Sequence, residues 1–209
     1  MFITLEGVEG SGKTTLVCGI NEFLKGCGYS VLCTREPGGN AIAESIREII
    51  LDTKNTQMDA RTEALLYAAA RRQHLVDVVI PALDEGKIVI CDRFVDSSIA
   101  YQGYARKIGA DLIADINDFA ISKRRPDLTL LIDILPEVGL ARINKDKSRE
   151  VNRLDLENLE FHKKVYEGYQ EIAKKPENQD RIKVIDGDRP VDEILENVFL
   201  VLKERLKNG

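Results

Sequence analysis

Short runs of apolar residues, many of them β-branched, alternate along the chain with longer segments that are apolar at every third or fourth position. The short runs are continuous rather than alternating, which is typical of strands buried on both faces of a sheet. We predict strands at residues 2–5, 29–33, 88–91, 128–132 and 182–185. Strands that alternate with helices predict an α/β fold of three layers, with a five-stranded parallel sheet between helices.

The longer segments fit amphipathic helices, each with one apolar face. One such face contains Leu112, Ile113, Ile116, Phe119 and Ala120, and another contains Val191, Ile194, Leu195, Val198 and Leu202. No repeat, low-complexity tract or Pro/Gly-rich linker divides the 209 residues, so we expect a single domain spanning residues 1–209. Residues 144–153 are instead strongly basic, which taken alone is typical of a solvated surface segment.

The composition and charge of the chain argue against nucleic acids and membranes as partners. A content of 44% hydrophobic and 31% charged residues is ordinary for a soluble domain. The formal net charge of -5 argues against a nucleic-acid or membrane-surface binder, because such proteins present a basic surface. No segment approaches the ~20 apolar residues of a membrane span, and the first residues do not resemble a signal peptide. We therefore expect a cytoplasmic protein with no nucleic-acid or membrane partner.

The four cysteines, Cys18, Cys27, Cys33 and Cys91, contain no C-x-x-C pair and lack the spacing of metal ligands. Because the chain has only two histidines, a structural zinc site is not expected. We interpret the cysteines as buried thiols in a reducing compartment.

Residues 7–14 read GVEGSGKT and match the pattern G-x-x-x-x-G-K-[ST] through Gly7, Gly12, Lys13 and Thr14. A predicted strand precedes the motif and a helical segment, residues 15–24, follows it, as a phosphate-binding loop requires. Glycines let successive N–H groups turn towards phosphate oxygens, and the helix adds the positive end of its dipole. We predict a nucleotide site in which Lys13 reaches the β- and γ-phosphates and Thr14 binds Mg²⁺.

A second motif, IVICDRF at residues 88–94, places Asp92 and Arg93 at the end of a predicted strand. An acid at this place holds the metal ion of many phosphate-loop proteins, usually through water. Arg93 is unusual for a GTPase and suits an enzyme that binds a second phosphate group. Residues 144–147, NKDK, have the acid one position too early for the guanine-binding pattern N-K-x-D, so we do not interpret them as a guanine site.

Four segments in this order resemble thymidylate kinases: EGVEGSGKTT at 6–15, TREPGG at 34–39, DRF with SSxxYQG at 92–103, and FHxxVxxGY at 161–169. The resemblance runs from residue 3 to about residue 190. It implies a P-loop kinase fold with a small helical lid, transfer of the ATP γ-phosphoryl group to dTMP, a requirement for Mg²⁺, and a homodimer. The helical segments 59–83 and 110–122 could offer apolar faces to that dimer.

The resemblance also implies the residues of the site. Lys13, Arg93, Arg153 and Glu9 would be catalytic, and Thr14 and Asp92 would hold the metal ion. The ATP-binding residues would be Gly7, Gly10, Ser11, Gly12, Lys13, Thr14, Thr15, Arg142 and Arg149. The dTMP-binding residues would be Glu9, Arg35, Glu36, Tyr67, Arg71, Arg93, Ser97, Ser98, Tyr101 and Gln102.

In the implied acceptor site, Arg93 clamps the phosphate of dTMP, a task that suits a bidentate guanidinium, and Arg35 shares it. Glu9 accepts a hydrogen bond from the 3′-hydroxyl, and the ring of Tyr101 occupies the space of a 2′-hydroxyl.

For the base, Tyr67 and Arg71 lie one helical turn apart on a shared face. The family usually has Phe where Tyr67 stands. The resemblance implies that Tyr67 stacks on thymine, that Arg71 donates to a thymine carbonyl, and that Gln102 presents its amide to the base edge.

The basic segment acquires a role through the same resemblance, as part of a lid over ATP at residues 136–155. Because the phosphate-binding loop has no arginine at Glu9, Gly10 or Ser11, the lid would supply the charge that stabilises the transferring phosphoryl group. Arg153 matches the most recognisable lid arginine, with Arg142 and Arg149 as further candidates, although the family's D-R-x-E reads NRLD here.

Two alternatives stay open from the sequence. One is a related P-loop kinase that phosphorylates a nucleoside or a different monophosphate. The other is a nucleotide-dependent switch or partner-binding ATPase with no small acceptor, whose ATP turnover dTMP would not stimulate.

Overall fold

The continuous apolar runs form one parallel sheet in a computed structural model, which describes residues 1–145 and 152–207. The strands are β1 (Phe2–Glu6), β2 (Val31–Arg35), β3 (Ile88–Asp92), β4 (Leu128–Asp133) and β5 (Ile182–Asp186). Their order across the sheet is β2-β3-β1-β4-β5, and every adjacent pair is parallel. The predicted α/β class with a five-stranded parallel sheet is confirmed.

Helices connect the strands. They are α1 (Lys13–Gly26), α2 (Ala41–Leu51), α3 (Ala60–His74), α4 (Ile80–Asp84), α5 (Val95–Ser98), α6 (Ala110–Ile121), α7 (Pro136–Lys145), α8 (Leu159–Lys174) and α9 (Val191–Lys207). Two π-helical segments, Leu75–Val79 and Ile99–Ala105, extend α3 and α5, and 3-10 turns occupy Arg153–Leu156 and Pro176–Asn178. Within the described ranges, no helix combines the length and apolar character needed to cross a membrane.

The central strand β1 contributes to a core on each side of the sheet. Ile3 and Leu5 pack with the buried faces of α1 and α9. Phe2 points to the other side, where α3, α6 and α8 cover the sheet. Period-two alternation therefore also sends Glu6 to the α8 side, at the carboxyl edge of the sheet. At that edge a parallel α/β sheet binds its ligands.

The second strand differs from its prediction. It spans Val31–Arg35 rather than residues 29–33, and its residues are half-buried or exposed because β2 lies at the edge of the sheet. The later start has a consequence for the site: β2 ends at Arg35, level with Asp92 of β3.

The prediction of four buried thiols is wrong for three of them. Cys18, Cys27 and Cys33 are exposed and Cys91 is buried, all as free cysteines. Cys91 is on a central strand, whereas Cys33 is on the edge strand and Cys27 follows the end of α1. Periodicity identified the strands but not the position of each strand in the sheet.

Candidate active site

The phosphate-binding loop connects β1 to α1 through glycines with positive φ. Gly7 and Gly10 have φ angles of 142° and 71°. A Cβ on Gly7 would lie 2.6 Å from the carbonyl oxygen of Ile132, and one on Gly10 would lie 2.1 Å from that of Gly139. The loop therefore needs glycine at these places both for its backbone conformation and for its close approach to β4 and α7.

Lys13 lies in the first turn of α1 and is buried. Its Nζ donates to the carbonyl oxygens of Gly7 (3.1 Å) and Val8 (3.0 Å) and to Oγ of Ser11 (3.1 Å). Burial lowers the pKa of Lys13 to about 8, and the charge of Arg93 acts in the same direction. A buried ammonium held by loop oxygens beside a second cation is a suitable place for a phosphate anion.

A cleft of about 580 Å³ opens at the carboxyl edge of the sheet, above this loop. It brings together the predicted site residues apart from Gly7, Arg149 and Arg153. Gly7 is the first residue of the loop, and its carbonyl oxygen accepts from Lys13 and Arg93. Arg149 lies outside the described residues, and Arg153 points elsewhere. The lining residues that we predicted are Glu9, Gly10, Ser11, Gly12, Lys13, Thr14, Thr15, Arg35, Glu36, Tyr67, Arg71, Asp92, Arg93, Ser97, Ser98, Tyr101, Gln102 and Arg142.

Thr14 and Asp92 line the same cleft and offer the donor set that Mg²⁺ prefers, a hydroxyl and a carboxylate. Oδ1 of Asp92 is buried and accepts no hydrogen bond from any described residue. A buried carboxylate oxygen without a donor is unfavourable unless a cation or a water molecule satisfies it. The residues therefore fit a divalent metal ion.

Arg93 follows β3 in a left-handed conformation, with φ 71°. Its guanidinium donates to the carbonyl oxygen of Gly7 (3.0 Å), to Oγ of Ser97 (3.2 Å) and to the hydroxyl of Tyr169 (3.1 Å). It also lies 5.1 Å from the ring centroid of Tyr101. These contacts hold the arginine in the cleft, against the start of the phosphate-binding loop.

The loop acid Glu9 is buried against this arginine. Its Oε1 accepts from the hydroxyl of Tyr101 (2.5 Å) and, more distantly, from Arg93 (3.4 Å). Burial alone would raise the pKa of Glu9, but the contact with His162 and the charge of Arg93 outweigh it and hold the pKa well below its usual range. Glu9 is therefore an ionised acceptor at one end of the cleft.

Arg71, a residue we expected at the base, is buried and almost fully hydrogen-bonded. Its Nε donates to Glu36 (2.7 Å), one terminal nitrogen donates to Ser98 (2.8 Å) and to Asn117, and the other donates to the carbonyl oxygen of Phe94 (2.9 Å). A guanidinium has five N–H groups, so these contacts leave one for a ligand. Both oxygens of Glu36 are in turn occupied, Oε2 by Arg71 and Oε1 by His74 (2.9 Å).

Two other predicted contacts are partly occupied by protein groups. Nε2 of Gln102 donates one of its two N–H groups to Glu63 (2.8 Å), which leaves its carbonyl oxygen to accept from a ligand and its second N–H to donate. Arg35 forms a bidentate pair with Glu44 (2.9 and 3.1 Å) in an exposed position at the mouth of the cleft.

The predicted lid, residues 136–155, begins with α7. Backbone contact between Gly139 and the loop at Gly10 seats this helix on the phosphate-binding loop. Arg142, one turn further along α7, lines the cleft and has a side chain that is 40% exposed.

Arg153 is placed differently from the prediction. It lies in the 3-10 turn Arg153–Leu156, at the end of the predicted lid, and its side chain is only 5% exposed. Its Nε donates to the carbonyl oxygen of Ile50 (2.8 Å), and its terminal nitrogen pairs with Glu63 (2.6 Å). Because its donors face α2 and α3, the structure does not bring Arg153 to the phosphate-binding loop.

The family of the chain follows from comparison with known proteins. Residues 5–198 match the family model described as thymidylate kinase. The chain belongs to the thymidylate kinase family. The thymidylate kinase of Clostridium novyi (strain NT) is 60% identical over 202 residues, which cover 97% of this chain and 98% of that protein. That of Geobacillus sp. (strain WCH70) is 55% identical over 206 residues, 99% of this chain and 97% of the relative.

A solved structure agrees with these relatives. The crystal structure of thymidylate kinase from Ehrlichia chaffeensis is similar with a TM-score of 0.78 and 36% identity, covering 97% of this chain and 98% of that one. The predicted family, fold class and enzyme class are confirmed: the protein is an ATP-dependent kinase that phosphorylates dTMP to dTDP. Neither alternative that the sequence left open is supported.

Sequence reasoning missed several residues around this thymidylate kinase cleft. Arg47 of α2 lines the cleft and donates to the carbonyl oxygen of Pro37 (2.9 Å). Its signal was available, since an arginine shares the helical face of the buried residues Ala43 and Ile50. His74 had no such signal. Its contact with Glu36 (2.9 Å) joins residues 38 positions apart in the sequence.

Proposed function

We propose that the protein transfers the γ-phosphoryl group of Mg²⁺-bound ATP directly to the 5′-phosphate of dTMP within this one cleft. The observation that carries the proposal is that the groups for both phosphates line one cleft. The phosphate-binding loop, the Asp92 carboxylate and the Arg93 guanidinium all line the same 580 Å³. Phosphoryl transfer needs little covalent help from a protein, so holding two phosphates in line and balancing their charge is most of the catalysis.

On the donor side, the N–H groups of the loop and of the first turn of α1 would surround the ATP phosphates. Lys13 would exchange its loop oxygens for phosphate oxygens, which favours its charged form. Thr14 and Asp92 would hold the metal ion, the latter through the buried Oδ1 or a water molecule attached to it. Held by these residues, Mg²⁺ would supply positive charge that offsets the charge developing on the phosphates.

On the acceptor side, Arg93 would bind the phosphate of dTMP and Glu9 the 3′-hydroxyl. The ring of Tyr101, fixed by its hydrogen bond to Glu9, would fill the space next to C2′ of the sugar. A ribonucleotide would then meet both a clash and an unpaired buried hydroxyl.

At the base, the remaining hydrogen-bonding capacity matches thymine. Arg71 has one N–H left for a carbonyl oxygen, and Gln102 has a free carbonyl oxygen for the ring N–H. Tyr67 lines the cleft and would stack on the ring.

In the lid, we propose that Arg142 supplies the positive charge that stabilises the transferring phosphoryl group. Arg149 is a second candidate for this role. Arg142 lines the cleft and is loosely held, by contacts of 3.3 Å to Gly187 and 3.4 Å to Asp188. Arg153 is tightly held elsewhere.

The proposal is tested by ADP release with dTMP, dUMP, UMP and dCMP as acceptors, for the wild type and for Arg93→Lys. The wild type should prefer dTMP. Arg93→Lys keeps the charge but loses the fork geometry, so the KM for dTMP should rise about tenfold or more. Arg124→Met, at an exposed arginine outside the cleft, is the matched control and should resemble the wild type. Equal kinetics in the two variants would refute the phosphate role of Arg93.

We also propose a cytoplasmic homodimer joined through α2, α3 and α6, which pack side by side. Each of these helices exposes large apolar residues to solvent: Ile42, Ile49, Leu65, Leu112 and Phe119. Phe119 is 89% exposed, and large apolar residues exposed on neighbouring helices of a folded domain favour self-association.

Sedimentation velocity tests this assembly. Phe119→Glu should yield monomers, whereas Leu200→Glu, at an exposed apolar residue of α9 beyond the proposed interface, should remain dimeric. A wild type that sediments as a monomer at micromolar concentration would refute it.

A further inference from the structure

A buried histidine faces the acid of the phosphate-binding loop. His162 lies in the first turn of α8 and is 1% exposed. Its Nδ1 is 3.3 Å from Oε2 of Glu9. Neither ring nitrogen of His162 makes a well-aligned hydrogen bond with any described residue. Oε2 of Glu9 likewise accepts none from the described residues. Two polar atoms that are costly to bury without a partner, Nδ1 of His162 and Oε2 of Glu9, therefore lie next to each other.

The rest of Glu9 is already committed. Its Oε1 accepts from Tyr101 and Arg93, so Oε2 is the oxygen whose partner remains to be explained. His162 is the neighbour that supplies a donor, because its Nδ1 is within hydrogen-bond reach of Oε2 after a small rotation of either side chain.

The position of His162 is well defined. The Phe161 ring lies edge-on to the imidazole, with centroids 5.6 Å apart. Helix α8, capped by the side chain of Asn158, packs along the π-helical segment Ile99–Ala105 that carries Tyr101. One rigid pair of elements thus presents a donor to each oxygen of Glu9, Tyr101 to Oε1 and His162 to Oε2.

We propose that His162 is a positioning residue that donates from Nδ1 to Oε2 of Glu9 and so orients this carboxylate towards the sugar hydroxyl of the acceptor. The inference rests on the proposed role of Glu9 in binding the 3′-hydroxyl. It adds that the affinity for the 3′-hydroxyl depends on a residue that does not itself line the cleft.

Matched substitutions of His162 distinguish the contribution of Nδ1 from that of Nε2. In His162→Asn the amide nitrogen takes the place of Nδ1, in His162→Gln it takes the place of Nε2, and His162→Leu has no donor. We would measure kcat and KM for dTMP and for 3′-deoxythymidine monophosphate, an acceptor without the 3′-hydroxyl. Urea unfolding of each variant reports its stability separately.

For dTMP, His162→Asn should stay within about threefold of the wild-type KM, while His162→Gln and His162→Leu should raise the KM about tenfold with little change in kcat. For the 3′-deoxy acceptor, KM should be the same for the wild type and every variant. Equal losses for both acceptors, or equal losses in the Asn and Gln variants, would overturn the inference and make His162 a packing residue.

Glu9→Gln, measured with the same two acceptors, tests separately whether Glu9 binds the 3′-hydroxyl. If Glu9→Gln weakens dTMP alone but the His162 variants do not, Glu9 binds the hydroxyl without help and only this inference fails. If Glu9→Gln weakens both acceptors equally, the assigned role of Glu9 fails and the inference falls with it.

Discussion

Replacing Arg153 by methionine should destabilise this kinase and change its turnover only modestly. The substitution removes two short hydrogen bonds from a buried guanidinium, to Glu63 (2.6 Å) and to the carbonyl oxygen of Ile50 (2.8 Å). Breaking a buried ion pair typically costs ~3–5 kcal/mol. The lower end applies here because Glu63 keeps hydrogen bonds from Arg106 and Gln102. We expect a loss of about 3 kcal/mol, or about 6–12 °C in Tm.

The matched variant is Arg142→Met. Its side chain is 40% exposed and its contacts are long, so stability should change by less than about 1 kcal/mol. Because we propose that Arg142 stabilises the transferring phosphoryl group, loss of its guanidinium should lower kcat at least about 10²-fold.

Stability is read from urea unfolding and turnover from steady-state kinetics. Both are measured at a temperature well below the Tm of the less stable variant. The opposite pattern would refute the reasoning. An Arg153→Met protein with wild-type stability and a kcat reduced about 10³-fold would mean that Arg153 leaves Glu63 and acts on the phosphates.

Three further predictions concern the loop, the sugar and the core. Lys13→Ala should abolish transfer and leave the unfolding curve nearly unchanged; a variant with more than about a tenth of wild-type kcat would contradict the phosphate role of Lys13. Tyr101→Phe should keep the preference for dTMP over its ribonucleotide form, whereas Tyr101→Ala should lose much of it; a ratio of kcat/KM values that is unchanged in the alanine variant would exclude the ring as the gate. Burial raises the pKa of Glu6 to about 7, with the charge of Asp96 acting in the same direction, so the folded protein keeps a proton that the unfolded chain releases near pH 4.5. The free energy of unfolding should therefore fall by about 3 kcal/mol between pH 4.5 and 7, and Glu6→Gln should remove most of that fall in urea titrations.

The parts of the site that could be predicted depend on short stretches of chain. The loop at residues 7–14 was recognisable because glycine spacing, a preceding strand and a following helix are all local features. Asp92 and Arg93 were recognisable because they end a buried strand, and the carboxyl ends of parallel strands share one edge.

The parts that could not be predicted depend on contacts between distant segments. Arg153 and Glu63 are 90 positions apart, and nothing near either residue indicates that they pair. Arg153 is the last residue of the basic segment 144–153, and this local sequence would be the same whether its side chain reached the phosphates or Glu63. Likewise, the motif at residues 161–169 identified His162 as a family feature, but its contact with Glu9 requires α8 to cross the carboxyl edge of the sheet.

The sequence by itself determined the strands, the phosphate-binding loop and the family, since each of these is encoded in the spacing of residues within a few turns or strands. Tertiary structure decided which donors remain free for a ligand. The family resemblance implied that Arg71 and Gln102 both bind the base, yet packing uses four of the five N–H groups of Arg71 and one of the two N–H groups of Gln102. Hydrogen-bonding capacity is finite, and only the packed structure shows how much of it neighbouring protein groups have already used.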